Sequence, residues 1–127
     1  MTRYLLDTNV VVRLLLGNRD SISPEATELI SDPGNEPLLS AAAVWEIAIK
    51  RSLGKLSLHP SWREVLTGLD LVALPITAEH AACVQDLPWH HRDPFDRLLV
   101  AQALCEDAII VTSDQQIDAY DMAALRA

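Results

Sequence analysis

Short apolar segments alternate with longer stretches of helical periodicity along all 127 residues, and this alternation restricts the fold more than any other feature. Tyr4-Leu5-Leu6, Pro37-Leu38-Leu39, Leu71 to Leu74 and Ala108 to Val111 have the length and composition of buried strands. Between them, Val10 to Leu16 reads as a helix ended by Gly17-Asn18. Ser23-Pro24 supplies the N-cap and first helical residue of a second helix, which stops near Asp32-Pro33-Gly34. Ser40 caps a third from Ala41 to Leu53, with Gly54 as its stop. In the second half, Trp62 to Leu69 is helical and Thr77 opens a helix through Asp86. Asp93-Pro94 begins another, with Val100 and Leu104 on its apolar face, and a short helix follows Asp114. Strands alternating with helices favour a parallel sheet covered on both faces. The expected architecture is α/β, a three-layer α/β/α sandwich with a short, mostly parallel central sheet. Half the residues are hydrophobic, enough for one core, so residues 1–127 are read as a single domain.

Four acids, Asp7, Glu46, Asp96 and Asp114, stand where an apolar segment ends or on the first turns of a helix that follows one. In a sheet of this class, ligands bind outside the carboxyl ends of the strands, so acids far apart in sequence can meet there. Carboxylates brought together repel each other and lose hydration, an arrangement that a divalent cation relieves. Asp7, in Leu5-Leu6-Asp7-Thr8-Asn9, is a candidate metal ligand, with Thr8 or Asn9 orienting it or a metal-bound water; it also suits the cap of the next helix. Asp114, in Val111-Thr112-Ser113-Asp114, repeats the strand-then-acid pattern with the same two readings. Glu46 lies among apolar neighbours with Lys50 four residues on, so a surface ion pair competes with a role at the metal. In Arg92-Asp93-Pro94-Phe95-Asp96-Arg97, Pro94 suits the first helical position, which assigns Asp93 to the cap and leaves Asp96 as the better ligand. Arg97 has two readings, a phosphate contact or a partner for a neighbouring acid. Trp45 reads as core or interface in preference to a base-stacking platform, and Arg51 and Lys55 as solvated charges in preference to phosphate contacts.

A formal net charge of −8 argues against a nucleic-acid partner, because phosphate binding depends on Lys and Arg. The distribution softens this objection. Lys50, Arg51, Lys55 and Arg63 cluster, as do His90, His91, Arg92 and Arg97, whereas Glu106 to Asp121 holds five acids and no base. Cys83 and Cys105 lack zinc-ligand spacing and read as buried, reduced thiols. No stretch of 18 apolar residues and no signal-peptide pattern is present, which leads to the expectation of a cytoplasmic protein without a membrane segment.

Taken in order, four stretches resemble the PIN domain, specifically a VapC-type toxin of a toxin-antitoxin pair. They are Leu-Leu-Asp-Thr-Asn at the start and Leu-Ser-Ala-Ala-Ala-Val-Trp-Glu-Ile-Ala-Ile-Lys-Arg-Ser-Leu-Gly-Lys-Leu in the middle, then His-Arg-Asp-Pro-Phe-Asp-Arg-Leu-Leu-Val-Ala-Gln-Ala and Val-Thr-Ser-Asp. The resemblance spans essentially the whole chain. It implies a compact α/β/α fold, dependence on Mg²⁺ or Mn²⁺, endonucleolytic cleavage of RNA, inhibition by a cognate antitoxin and a homodimer. Carried over by motif, the catalytic and metal-binding acids are Asp7, Glu46, Asp96 and Asp114, with Thr8, Asn9, Ser113, Asp93 and Arg97 in support. Asn9 departs from the pattern, since close relatives often have His there.

The chemistry expected is phosphodiester hydrolysis at one or two Mg²⁺ ions held by the carboxylates, with water as nucleophile. Asp7 and Asp96 are the firmest ligands and Asp114 the next; Glu46 binds a second ion or orients the water. One rival is a haloacid-dehalogenase-like phosphatase, which also begins with a strand and Asp-x-Asp. Asn9 replaces its second acid, and the chain has little room for a cap domain. The other rival is a non-catalytic regulator that binds RNA or a partner through a degenerate site, against which the retention of all four acids counts.

Overall fold

The computed structural model describes residues 2–90, 92–120 and 122–127. Met1, Asp121 and His91, the last a member of the second basic cluster, lie outside the described residues. The chain runs β1 (Arg3–Leu6), α1 (Thr8–Leu15), α2 (Pro24–Ser31), β2 (Glu36–Ser40), α3 (Ala41–Ser52), α4 (Trp62–Thr67), β3 (Val72–Leu74), α5 (Ala78–Cys83), α6 (Pro94–Cys105), β4 (Ile109–Thr112) and β5 (Ala124–Arg126). Short 3-10 turns sit at Arg19–Ser21, Val84–Asp86 and Gln115–Ala119. The sheet has the order β3-β2-β1-β4-β5, and every pairing is parallel.

Alternation along the strands divides the core in two. Leu5, Leu38, Leu74 and Ile110 point to the face covered by α5 and α6, where they meet Leu87, Leu99, Val100 and Ala103. Tyr4, Leu6 and Val111 point to the opposite face and pack on Val10, Val11 and Leu14 of α1, Ala26 of α2, and Trp62 and Leu66 of α4. Helix α3 contributes to both, through Ala42 on one side and Ala43 and Ile47 on the other. This is the expected three-layer sandwich. Because crossovers between parallel strands are right-handed, building from β1 to β2 to β3 places α1 to α4 on one face. The return from β3 past β1 to β4 then places α5 and α6 on the other. The direction of winding reverses between β1 and β4, so a crevice opens there at the carboxyl ends of the strands.

Local signals account for most helix starts. Ser23 Oγ accepts from Ala26 N–H at 3.1 Å and Ser40 Oγ from Ala42 N–H at 3.0 Å. Asp93 Oδ1 accepts from the N–H groups of Phe95 and Asp96 at 2.9 and 3.2 Å, with Pro94 in the first turn, as expected. Asp93→Ala should therefore lower stability by about 1 kcal/mol in urea unfolding, whereas Asp93→Asn, which keeps the accepting oxygen, should cost much less. Equal stability of the two variants would remove the cap as the reason for Asp93.

The structure departs from expectation in several places. Helix α5 ends at Cys83 and tightens into the 3-10 turn, with Leu87 N–H donating to Val84 O. The buried side of α6 is Leu99, Val100 and Ala103, whereas Leu104 is exposed. Gln102, also on α6, is fully buried: it accepts from Ser40 Oγ and donates to Pro75 O and His80 Nδ1, both at 3.3 Å. His80 Nδ1 also accepts from Thr77 N–H at 3.1 Å, so its Nε2 carries the proton given to Glu106 at 2.9 Å. Strand β5 was not expected; it pairs β4 along an edge whose Ile110 N–H and Thr112 O bond to the chain beyond Tyr120. No helix among the described residues is long and apolar enough to cross a membrane.

Candidate metal centre

Five carboxylates and one ammonium line a small cleft of about 130 Å³ at the carboxyl ends of β1 and β4, formed by Asp7, Thr8, Asn9, Glu46, Lys50, Asp93, Asp96 and Asp114. Four elements deliver them. Asp7 follows β1 and caps α1, its Oδ1 accepting from Val10 N–H at 2.9 Å. Asp114 follows β4 and caps the 3-10 turn, its Oδ1 accepting from Gln116 N–H at 2.9 Å. Glu46 comes from the middle of α3, and Asp93 and Asp96 from the start of α6. The first turns of α1 and α6 thus open on one cleft, and their unsatisfied N–H groups favour negative charge. The cap role considered for Asp7 and Asp114 holds, and the four predicted acids converge on the cleft.

Thr112 is a residue that sequence reasoning missed. Its hydroxyl donates to Asp7 Oδ2 and accepts from Asp114 N–H at 3.0 Å, so one side chain orients both strand-end acids. Lys50 is the other. Its Nζ lies 2.8 Å from Glu46 Oε2, yet Glu46 is only 5% exposed, so this is a pair anchored inside the cleft wall and not the surface pair considered above. The hydrogen bond to Glu46 raises the Lys50 pKa, and the charges of Asp93 and Asp96 add to the effect.

The supporting set is corrected in two places. Arg97 does not face phosphate or an acid: it is 2% exposed, and its guanidinium donates to Pro88 O, Val84 O and Leu87 O at 2.8, 3.0 and 3.2 Å. It also reaches Tyr120 Oη at 3.4 Å and lies 3.8 Å over the Trp89 ring. Adjacent helical residues diverge by about 100°, so with Asp96 at the cleft its neighbour turns into the core. Ser113 does not line the cleft, and its hydroxyl accepts from Arg13 at 3.3 Å. Thr8 and Asn9 do line it.

The electrostatics of the cleft oppose the charges of its own carboxylates. Burial pushes the Asp7 carboxyl above its usual range, opposed by its bonds to Thr112 and Val10 and by the charge of Arg13. Asp96 is pushed up to about 7, first by burial and then by the charges of Asp93, Glu46, Asp114 and Asp7. Among the described residues, no three His, Cys, Asp or Glu side chains already form an array able to hold a metal ion. Asp7, Asp93 and Asp114 each turn one oxygen onto a cap N–H. Glu46 Oε1 and Thr8 Oγ1 are buried with no hydrogen-bond partner among the described residues, an arrangement that costs about 1 to 3 kcal/mol each. An all-oxygen, net-negative donor set with uncompensated buried oxygens fits a hard divalent cation such as Mg²⁺.

The fold has solved counterparts. A chain of the VapBC2 structure from Rickettsia felis, bound to a DNA fragment from their promoter, superposes with a TM-score of 0.76 at 17% identity, covering 98% of this chain and 98% of that one. VapBC-1 from nontypeable Haemophilus influenzae gives 0.68 at 20% identity, covering 98% and 97%. FitAcB from Neisseria gonorrhoeae gives 0.60 at 22%, covering 97% and 96%. At these identities the likeness is one of fold. No curated protein sequence matches the chain at a significant level. The family model described as PIN domain matches residues 4–122, which include all four acids of the cleft, and this chain therefore belongs to the PIN domain family.

Proposed function

We propose that the chain is a Mg²⁺-dependent endoribonuclease, the VapC-type toxin of a toxin-antitoxin pair, with Mn²⁺ as a substitute metal. The observation that carries this reading is the convergence of Asp7, Glu46, Asp96 and Asp114 on one cleft at the point where the sheet reverses its winding, with Glu46 Oε1 buried and without a hydrogen-bond partner among the described residues. Asp7, Asp96 and Asp114 would hold the cation, and Glu46 would hold a second ion or orient water. Such a cation, when bound, polarises a phosphodiester and brings water to a reactive state at neutral pH. Thr112 and the α1 cap keep the Asp7 carboxylate in one orientation. Lys50 fixes Glu46 and offers an ammonium to a phosphate oxygen at the cleft.

Solved relatives of the fold are VapBC structures, and this supports an antitoxin as partner. Trp45 and Trp89 are 56% and 72% exposed, which supplies apolar surface for a partner segment. An Arg or Lys of that segment placed among the acids would compete with the metal. A homodimer and a cytoplasmic location complete the reading; a monomer by light scattering at high concentration would count against the dimer. The phosphatase alternative loses ground because Asn9, where its second acid would stand, is an exposed amide.

The test is cleavage of RNA with Mg²⁺ and with EDTA, beside hydrolysis of a small phosphomonoester. RNA cleaved only with Mg²⁺, and an untouched monoester, is the expected result. Hydrolysis of the monoester alone would return the phosphatase, and binding of RNA without turnover the regulator.

A further inference from the structure

Cys83 and Cys105, expected to be buried, reduced thiols, meet at the surface. Each is the last residue of its helix, α5 and α6, and their Sγ atoms are 3.3 Å apart. Both are free and half-buried. They form one wall of an open hollow of about 340 Å³ completed by Asp86, Leu87, Ala101 and Leu104, so a small reagent can approach them. Neither touches the acid cleft, and nothing in the proposed chemistry uses them. A bonded pair needs about 2.05 Å between sulfurs, so closure requires roughly 1.2 Å of movement shared by two side chains and two helix ends.

We propose that Cys83 and Cys105 form a reversible dithiol–disulfide site that fastens α5 to α6 and takes small-molecule disulfides as its oxidant. The Cys105 thiol donates to Cys83 Sγ, which makes Cys83 the sulfur that reacts first. Its thiolate attacks one sulfur of R–S–S–R, forming a Cys83–S–S–R bond and releasing RS⁻, which takes up the proton Cys83 lost. Cys105 then attacks Cys83 Sγ, expelling the second RS⁻, which leaves with the Cys105 proton. Two protein thiols are oxidised to one disulfide, and one small disulfide is reduced to two thiols. In the dithiol form, burial and the neighbouring Cys83 hold the Cys105 thiol up to about 11. The new bond closes a covalent loop from 83 to 105 that contains Val84, Leu87 and Pro88, whose carbonyls Arg97 bonds, and both acids at the start of α6.

The experiment incubates the full chain at pH 8 with oxidised glutathione, then measures titratable thiols, intact mass and Tm. Wild type is expected to lose both thiols, to show the mass of the dithiol less two hydrogens with no glutathione retained, and to recover with dithiothreitol. Cys105→Ser should instead keep a glutathione on Cys83, because the resolving sulfur is gone. Closing a loop of this length should raise Tm of the oxidised form by roughly 5 to 10 °C. A glutathione adduct that persists on wild type, disulfide-linked dimers of the chain, or thiols that react only in urea would each overturn the proposal. So would an oxidised form that melts no higher than the reduced one.

Discussion

Asp7→Asn should reduce Mg²⁺-dependent RNA cleavage by on the order of 10²- to 10³-fold or more, with the fold preserved. The magnitude is that of removing one preorganised charge-stabilising group from a reaction centre. Preservation of the fold follows from the two bonds that Asp7 makes. An Asn oxygen still accepts from Val10 N–H, and an amide at the other position meets the Thr112 hydroxyl, which can accept as readily as donate. Burial already opposes the charge of Asp7, so its loss removes a cost to stability. Cleavage of labelled RNA in verified metal-containing buffer, alongside a thermal melt, separates the two effects. Unchanged turnover would remove Asp7 from the site.

Arg97→Ala is expected to have the largest effect on stability, a loss of about 3 kcal/mol or more in urea unfolding. Its buried guanidinium bonds the carbonyls of Leu87 and Pro88 and adds a second bond to Val84 O, which also accepts from Leu87 N–H, and a carbonyl left unpaired in the interior costs about 1 to 3 kcal/mol. Arg97→Lys should recover only part of this, because an ammonium lacks the planar fork that reaches several carbonyls and stacks on Trp89. A loss below about 1 kcal/mol for Arg97→Ala would show that water replaces the guanidinium. Weaker RNA binding with unchanged stability would restore the phosphate role.

The contrast between Asp96 and Arg97 shows what was legible in the sequence. Acids after strands, Ser and Asp caps and helix-starting prolines are local signals, and Asp7, Ser23, Ser40, Asp93 and Asp114 all act as caps in the structure. The convergence of four acids followed from a rule about where parallel sheets place ligands, together with the family resemblance. What stayed hidden depends on which elements face each other. Thr112 looks like any strand Thr until the Asp7 carboxylate is brought beside it. Gln102 and His80 gain meaning only when α5, α6 and the end of β2 are packed. Cys83 and Cys105, 22 residues apart, carry no spacing signal at all. Strand β5 is three residues long with no buried position, so no periodicity announces it.

Whether the cleft is built for a cation is tested most directly by thermal melts of wild type and Asp96→Asn, each with EDTA and with excess Mg²⁺, at pH 8. There the Asp96 carboxyl, pushed up to about 7, is largely ionised. In the metal-free protein, a carboxyl whose folded pKa is raised binds protons that the unfolded chain has released. Stability therefore falls as pH rises from about 4 to about 7. Asp96→Asn removes that fall, offset by roughly 0.3 to 1 kcal/mol of lost interaction with the α6 N-terminus, and should melt with EDTA at or slightly above wild type. Mg²⁺ at about ten times its dissociation constant should add on the order of 1.4 kcal/mol to wild type and much less to a protein lacking a ligand. A Mg²⁺-induced rise in wild type that is largely absent from Asp96→Asn is the predicted result. Equal shifts in the two proteins would make Asp96 a helix-terminal acid only, and would contradict the proposed site at its centre.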